Sequence, residues 1–307
     1  MKQTIEFYYN IMLEDIEEAN GNYHFKLDNQ DCFFVFFSRR EEELIDIINV
    51  CIEMKNKGID VHTIIKNKTN SYITKVNGYN YILFTVNNLR EEYDIFDIVN
   101  LNSKLILNSK TSSLYRNNWQ ELWSKKIDYF EYQIKELAID KSIIKNSVSY
   151  YIGLSELAIS YVAETNKKYN TLMEGKIVLS HRRVGYPNYK LNFLNPLSFI
   201  FDLEVRDVAE YLKAMLFTCE IEEVLEELNT YLKIKKLNIY EAQMLLARLI
   251  YPSYYFDTYE KVMDKDEDSE KLVAIIKKVD EIEYFLKKTY ELLSSYVNID
   301  KIEWFIN

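Results

Sequence analysis

Apolar and polar positions change their period once along this chain. Before residue 86 they alternate in short runs with period two, broken by a single helical stretch; beyond residue 89 they recur with a period near 3.6 almost to the end. Asn22-Tyr23-His24-Phe25-Lys26-Leu27 and Cys32-Phe33-Phe34-Val35-Phe36-Phe37 are β-rich runs around Asp28-Asn29-Gln30-Asp31, a hairpin signal. Within 40–57, Leu44, Ile47, Ile48, Cys51, Ile52 and Met54 return at helical spacing, and Gly58 stands where a C-terminal cap is needed. Runs 62–65, 71–76 and 80–86 predict three more strands, the last two joined by the tight-turn dipeptide Asn77-Gly78. Residues 1–20 are expected to add a strand or a helix.

In the second regime Trp119, Leu122, Trp123, Ile127, Phe130, Ile134 and Leu137 mark a long amphipathic helix, and 144–162 marks another. A short strand region at 176–202 precedes helices at about 205–217, 220–233, 239–250 and 272–296, with Pro252 closing the third. The acidic stretch 264–270 lacks the alternating oxygen ligands and turn glycine of a calcium loop, so a solvated loop is expected there. The pattern predicts an α+β protein of two lobes. A five-stranded antiparallel sheet with one helix would fill 1–86, a polar hinge 87–89, and a mainly helical lobe 90–307.

Composition narrows the possible partners. With 307 residues, 48% of them hydrophobic and 15% aromatic, the chain can bury a substantial core. Its formal charge of -10 argues against nucleic acid or an anionic membrane surface, since both are polyanions that require a basic footprint. Cys32, Cys51 and Cys219 are isolated, which indicates neither a disulfide framework nor a zinc site; reduced thiols in a cytoplasmic setting are expected. No apolar run approaches the roughly 18 residues of a membrane span, and the N-terminus has no signal-peptide core. The six glycines are Gly21, Gly58, Gly78, Gly153, Gly175 and Gly185, none close to another. A backbone cradle for phosphate uses clustered glycines so that the main chain can approach the anion, and no such loop can be written here.

The chemistry-bearing segment starts at the apolar strand Lys176-Ile177-Val178-Leu179-Ser180, which leads into His181-Arg182-Arg183. Asn188 follows Arg183 by five residues, the apolar run 197–201 leads to Asp202, and Arg206-Asp207-Val208-Ala209-Glu210-Tyr211-Leu212-Lys213 comes next. This order resembles the catalytic segment of the aminoglycoside phosphotransferase and choline kinase superfamily, in which His-x-Asp follows a strand, an Asn lies five residues on, and a metal-binding Asp follows the next strand. The position of the catalytic Asp holds Arg183. A carboxylate there would orient the attacking hydroxyl and accept its proton; a guanidinium stays protonated and cannot.

Further segments carry a closer resemblance. Gly58-Ile59-Asp60-Val61, Tyr79-Asn80-Tyr81-Ile82-Leu83-Phe84, the Trp119 and Trp123 helix, Ser180-His181-Arg182-Arg183, and Leu245-Leu246-Ala247-Arg248-Leu249-Ile250-Tyr251-Pro252-Ser253-Tyr254-Tyr255-Phe256 together resemble the spore-coat CotS-like proteins, particularly the YutH-like group. The resemblance implies a protein-kinase-like bilobal fold and a role in sporulation or the spore coat, with a protein partner and a cytoplasmic or coat location. In an active relative the third strand supplies a Lys that pairs with nucleotide phosphates and with a helix Glu. Here that strand is Phe33-Phe34-Val35-Phe36-Phe37, with Arg39 and Arg40 only beyond its end, so Glu41, Glu42, Glu43 and Glu53 have no strand Lys to meet. Its alternate side chains are expected to fill the first lobe's core and to crowd the adenine or phosphate region.

Each site residue has two readings. His181 is a loop prop or a general base; Asp207 caps a helix or binds loop N–H groups; Asp202 holds Mg²⁺ with Asn188, with the register leaving Asn195 as the other choice for the metal position, or pairs with arginine. Arg182, Arg183 and Arg206 are anion contacts or partners of Asp202, Glu204 and Asp207. With the glycine-rich loop, strand Lys and catalytic Asp absent together, the expectation is an inactive kinase-like protein without a cofactor and with His181, Arg206 and Asp207 as structural groups. ATP and Mg²⁺ enter only under the alternative, an atypical small-molecule phosphotransferase.

Overall fold

The computed structural model describes residues 1–19, 21–86, 91–104, 112–136, 142–169, 175–187, 189–264 and 269–306. In chain order the elements are α1 (Lys2–Tyr9), β1 (Glu17–Ala19), β2 (Asn22–Leu27), β3 (Gln30–Phe36), α2 (Glu41–Asn56), β4 (Thr63–Ile65), β5 (Thr74–Val76), β6 (Tyr79–Val86) and α3 (Ile95–Lys104). There follow α4 (Trp119–Glu136), α5 (Ser142–Tyr169), β7 (Ile177–His181), α6 (Lys190–Phe193), a 3₁₀ turn (Pro196–Ser198) and β8 (Phe199–Leu203). The last are α7 (Val205–Met215), α8 (Ile221–Ile234), α9 (Ile239–Ile250), α10 (Ser253–Met263), α11 (Glu270–Lys277), α12 (Val279–Tyr296) and α13 (Glu303–Ile306). Among the described residues no helix is long and apolar enough to cross a membrane.

Two compact units result. The first comprises Met1–Tyr115 with Pro187–Phe201, the second Arg116–Tyr186 with Asp202–Asn307. The first unit is built on an antiparallel sheet in the order β1-β2-β3-β6-β4, with β5 also paired to β6. Among the described residues it has six strands, one more than the five expected, because residues 1–19 supply both α1 and the short β1. Local turn chemistry fixes its registers. Asp28 and Asn29 take φ of 48° and 64° between β2 and β3, and Asn77 and Gly78 take 51° and 84° between β5 and β6, the left-handed pairs that suit the twist of a two-residue hairpin. Gly58, at φ 70°, ends α2 with its N–H on the Lys55 carbonyl at 3.0 Å.

Strand β3 shows period-two burial. Cys32 and Phe34 are enclosed with Ile5 of α1, Tyr23, Phe25 and Leu83. On the opposite face Phe33, half-buried, stacks on Phe84 at 5.8 Å. The strand is not enclosed to its end, since Phe36 is 45% exposed. Residues 187–201 belong to this unit: the His62 ring lies 2.8 Å from the Leu191 carbonyl, and the His62 backbone N–H reaches the Leu194 carbonyl at 3.3 Å. The hinge expected at 87–89 lies outside the described residues.

The second unit is mainly helical. α9 packs on α5, α7 and α12, and all but two of its twelve residues are buried. Its start is fixed locally: Asn238 accepts from the Glu241 N–H while the Glu241 side chain accepts from the Asn238 N–H, a reciprocal capping box. β7 pairs with β8, whose last residues Asp202 and Leu203 lie in this unit. The helix expected at 272–296 is two helices. The chain breaks at Lys278, whose ammonium donates to the Leu216 carbonyl at 2.9 Å. Residues 265–268 of the acidic stretch lie outside the described residues.

Candidate phosphotransferase-like site

Helix α7 sets the electrostatics around His181. Four of its eleven residues are charged, yet ten of the eleven are buried, so each charge must find a partner inside the protein. Arg206 donates to Asp202 Oδ2 at 2.7 Å, to the His181 carbonyl at 3.0 Å and to the Arg182 carbonyl at 3.2 Å. Asp207 accepts the backbone N–H of His181 at 3.0 Å through Oδ1, while Oδ2 lies 2.6 Å from the imidazole Nδ1. Asp207 thus holds the turn after β7 from both its main chain and its ring. Of the two readings open in the sequence, it binds loop N–H rather than capping its own helix.

Asp202 is fully buried, and protein donors meet each of its oxygens. The Trp119 indole N–H reaches Oδ1 at 2.9 Å and Oδ2 at 3.1 Å; the Leu203 N–H reaches Oδ1 at 2.8 Å, and Arg206 completes the set on Oδ2. Three N–H donors thus serve the carboxylate, that of Trp119 shared between its two oxygens. Burial pushes the pKa of Asp202 up, against the opposing charges of Arg206 and Arg248 and the N–H groups of Trp119 and Leu203. Asn195, the alternative to Asp202 for the metal position, caps the 3₁₀ turn by accepting the Leu197 N–H at 3.0 Å. Asn188 lies outside the described residues. A hard dication at Asp202 would share or displace these donors. No three His, Cys, Asp and Glu side chains converge on a metal position among the described residues.

A second buried knot adjoins the first through Trp119. Glu210 accepts from Lys213 and from Arg248, each at 2.8 Å. The Arg248 guanidinium lies 5.0 Å from the Trp119 ring centre and 5.5 Å from that of Trp123. Lys213 also donates to Ser253 Oγ at 2.8 Å. Burial alone would raise the pKa of Glu210, but Lys213 and Arg248, with Arg206 and Arg183, hold it well below the usual carboxylate range. Burial draws Lys213 down to about 8, against the attraction of Glu210.

Arg183 pairs with none of the carboxylates the sequence offered nearby. It donates to Asp257 of α10 at 2.6 Å, with its side chain 55% exposed, and Lys126 approaches the same Asp257 oxygen at 3.5 Å. The expected partners are engaged elsewhere: Asp202 with Arg206, Asp207 with His181, and Glu204 with Lys235. In the first unit Arg39, just beyond β3, forms a buried pair with Glu43 at 2.6 Å and donates to the carbonyls of Leu197 and Phe199 at 2.9 and 2.7 Å. An arginine past the strand end therefore meets the helix Glu through Nε, and its Nη1 donates to main chain. The i,i+4 spacing of Arg39 and Glu43 is the signal of this pair in the sequence.

This scaffold is shared with known proteins. Residues 2–289 match the family described as "Spore coat putative kinase YutH". The chain belongs to this YutH family. The endospore coat-associated protein YutH of Bacillus subtilis (strain 168) is 26% identical over 207 residues, or 61% of this chain, and the chain spans 60% of the length of that curated relative. Among solved structures, an aminoglycoside phosphotransferase from Alicyclobacillus acidocaldarius subsp. acidocaldarius DSM 446 covers 96% of this chain, and 97% of its own length, with a TM-score of 0.62 and 9% identity. The choline kinase LicA from Streptococcus pneumoniae covers 96% of this chain and 98% of its own, with a TM-score of 0.52 and 14% identity. At such identities the likeness is one of fold, so this YutH-family chain has the kinase-like architecture of an antiparallel-sheet region followed by a helical one.

Proposed function

We propose that this protein is a catalytically inactive kinase-like protein that acts through protein partners in spore-coat assembly. The observation that carries the reading is the replacement of the catalytic carboxylate by Arg183, which is tied to Asp257. A guanidinium cannot take a proton from an attacking hydroxyl. The three N–H donors on Asp202 and the engagement of Arg39 Nε and Nη1 by Glu43 and two carbonyls support the same reading, because a metal at Asp202 would compete with those donors. The name of the Bacillus subtilis relative supports the spore-coat setting.

The second reading, an ATP- and Mg²⁺-dependent small-molecule phosphotransferase, draws on Asp257, a carboxylate that the tertiary structure brings to Arg183. One pair of measurements separates the two. Thermal denaturation of the full chain with ATP, with and without MgCl₂, is expected to give no saturable shift, and phosphate release from ATP is expected at the level of buffer. A Mg²⁺-dependent rise in midpoint together with ATP turnover would replace the first reading with the second.

A further inference from the structure

Helix α4 carries two stripes of large side chains. Trp119, Trp123, Ile127 and Phe130 form the buried one. Leu122, which the sequence pattern places with them, is 45% exposed and lies outside with Tyr129 and Tyr132, at 50% and 64%. Lys125 and Glu136, both exposed, complete the series 122, 125, 129, 132 and 136, whose members stand alternately three and four residues apart. That is the a/d spacing of a coiled-coil seam, here roughly 130° round the helix from the buried stripe. The Gln133 amide donates to the Tyr129 hydroxyl at 2.6 Å and holds that ring on the seam.

The charges along the seam are complementary to themselves when the helix direction is reversed. Two copies of α4 laid antiparallel, with Tyr129 opposite Tyr132 of the second copy, bring Lys125 opposite Glu136 and, on one flank, Asp128 beside Lys135. The twofold axis repeats each contact, so every opposite-charge pair occurs twice. A parallel pair would instead set Lys125 against Lys125 and Glu136 against Glu136. Within one copy Lys125 pairs with the exposed Glu121 a turn before it, a contact worth little in water and easily shared with a second carboxylate.

We propose that the outer face of α4 is a self-association surface, through which two copies of this chain pair as an antiparallel helix dimer with its axis midway between Tyr129 and Tyr132. One helix face buries less than the roughly 800 Å² a side of a standard interface, so the dimer is weak, with a Kd of about 10–100 µM. It stands whether or not the protein is catalytically inactive.

Sedimentation equilibrium of the full chain from about 5 to 500 µM is expected to show a reversible monomer–dimer equilibrium. Tyr132→Asp, which puts a carboxylate into an apolar layer, should weaken dimerisation about tenfold or more. Lys135→Glu, which faces Asp128 with a like charge, should weaken it about fivefold, and Asp128→Lys combined with Lys135→Glu should restore it. Glu131→Lys, an equal charge reversal on an exposed position off the seam, should leave it unchanged. All these side chains are exposed in a single copy, so thermal midpoints of the dilute variants should stay near that of the wild type. A chain that stays monomeric across the range overturns the proposal, as does a dimer that survives Tyr132→Asp or one that the double charge swap fails to restore.

Discussion

Trp119 donates its indole N–H to both carboxylate oxygens of Asp202, at 2.9 and 3.1 Å, across 83 residues of sequence. The contact anchors the start of α4 to a buried carboxylate. Trp119→Phe keeps most of the apolar volume but removes the donor, and is expected to cost about 2–3 kcal/mol in urea denaturation, the penalty for depriving a buried charged acceptor. Combined with Asp202→Asn in a double-mutant cycle, it should show a coupling of about 1–3 kcal/mol. Additive effects would dissociate the pair.

Restoring the catalytic carboxylate by Arg183→Asp is expected to create no phosphotransferase activity. Nucleotide, metal and acceptor must be positioned before a base can help, and the loop glycines and strand Lys that would position them are missing. Because the Arg183 side chain is 55% exposed, losing its pair with Asp257 should cost about 1 kcal/mol or less. Part of that loss should return when Asp257→Asn removes the new like-charge contact. ATP turnover and denaturant midpoint measured on the same samples check both statements.

Asp207 holds the His181 turn by its backbone and its ring together. Asp207→Ala should therefore be among the most damaging substitutions near this segment, at about 3 kcal/mol or more, since the buried His181 N–H is left unpaired. Asp207→Asn retains one carbonyl acceptor and is expected to cost clearly less. Equal losses in the two variants, read from urea midpoints, would show that charge and not the N–H contact is what matters.

The buried Lys213 gives the stability a defined pH dependence. Its folded pKa is about 8 and its unfolded pKa is about 10.4, so between these values the unfolded chain binds more protons than the folded one. Its contribution to stability therefore rises with pH through that window, and below pH 8 the cost of burying the charge is felt in full. Lys213→Met should flatten this part of the profile. The difference between the wild-type and variant unfolding free energies from pH 7.5 to 9.5 isolates it from the tyrosines.

The sequence by itself determined the order of β2 to β6 with α2 among them, and the succession of α7, α8 and α9, because hydrophobic period and left-handed turn positions are properties of a few adjacent residues. The Asp28-Asn29 and Asn77-Gly78 hairpins, the Gly58 end of α2 and the bounds of α9 could all be read from neighbours in the chain. So could the loss of residue types at Arg183 and along β3. The tertiary structure alone decided which charges meet. Arg183 finds Asp257 across 74 residues, Trp119 finds Asp202 across 83, and the break at Lys278 faces the carbonyl of Leu216. Buried charges pair wherever packing brings a partner, and packing is settled between elements far apart in sequence. Sequence proximity pointed Arg183 toward Asp202, Glu204 and Asp207, but in the folded protein those groups were already engaged by Arg206, Lys235 and His181.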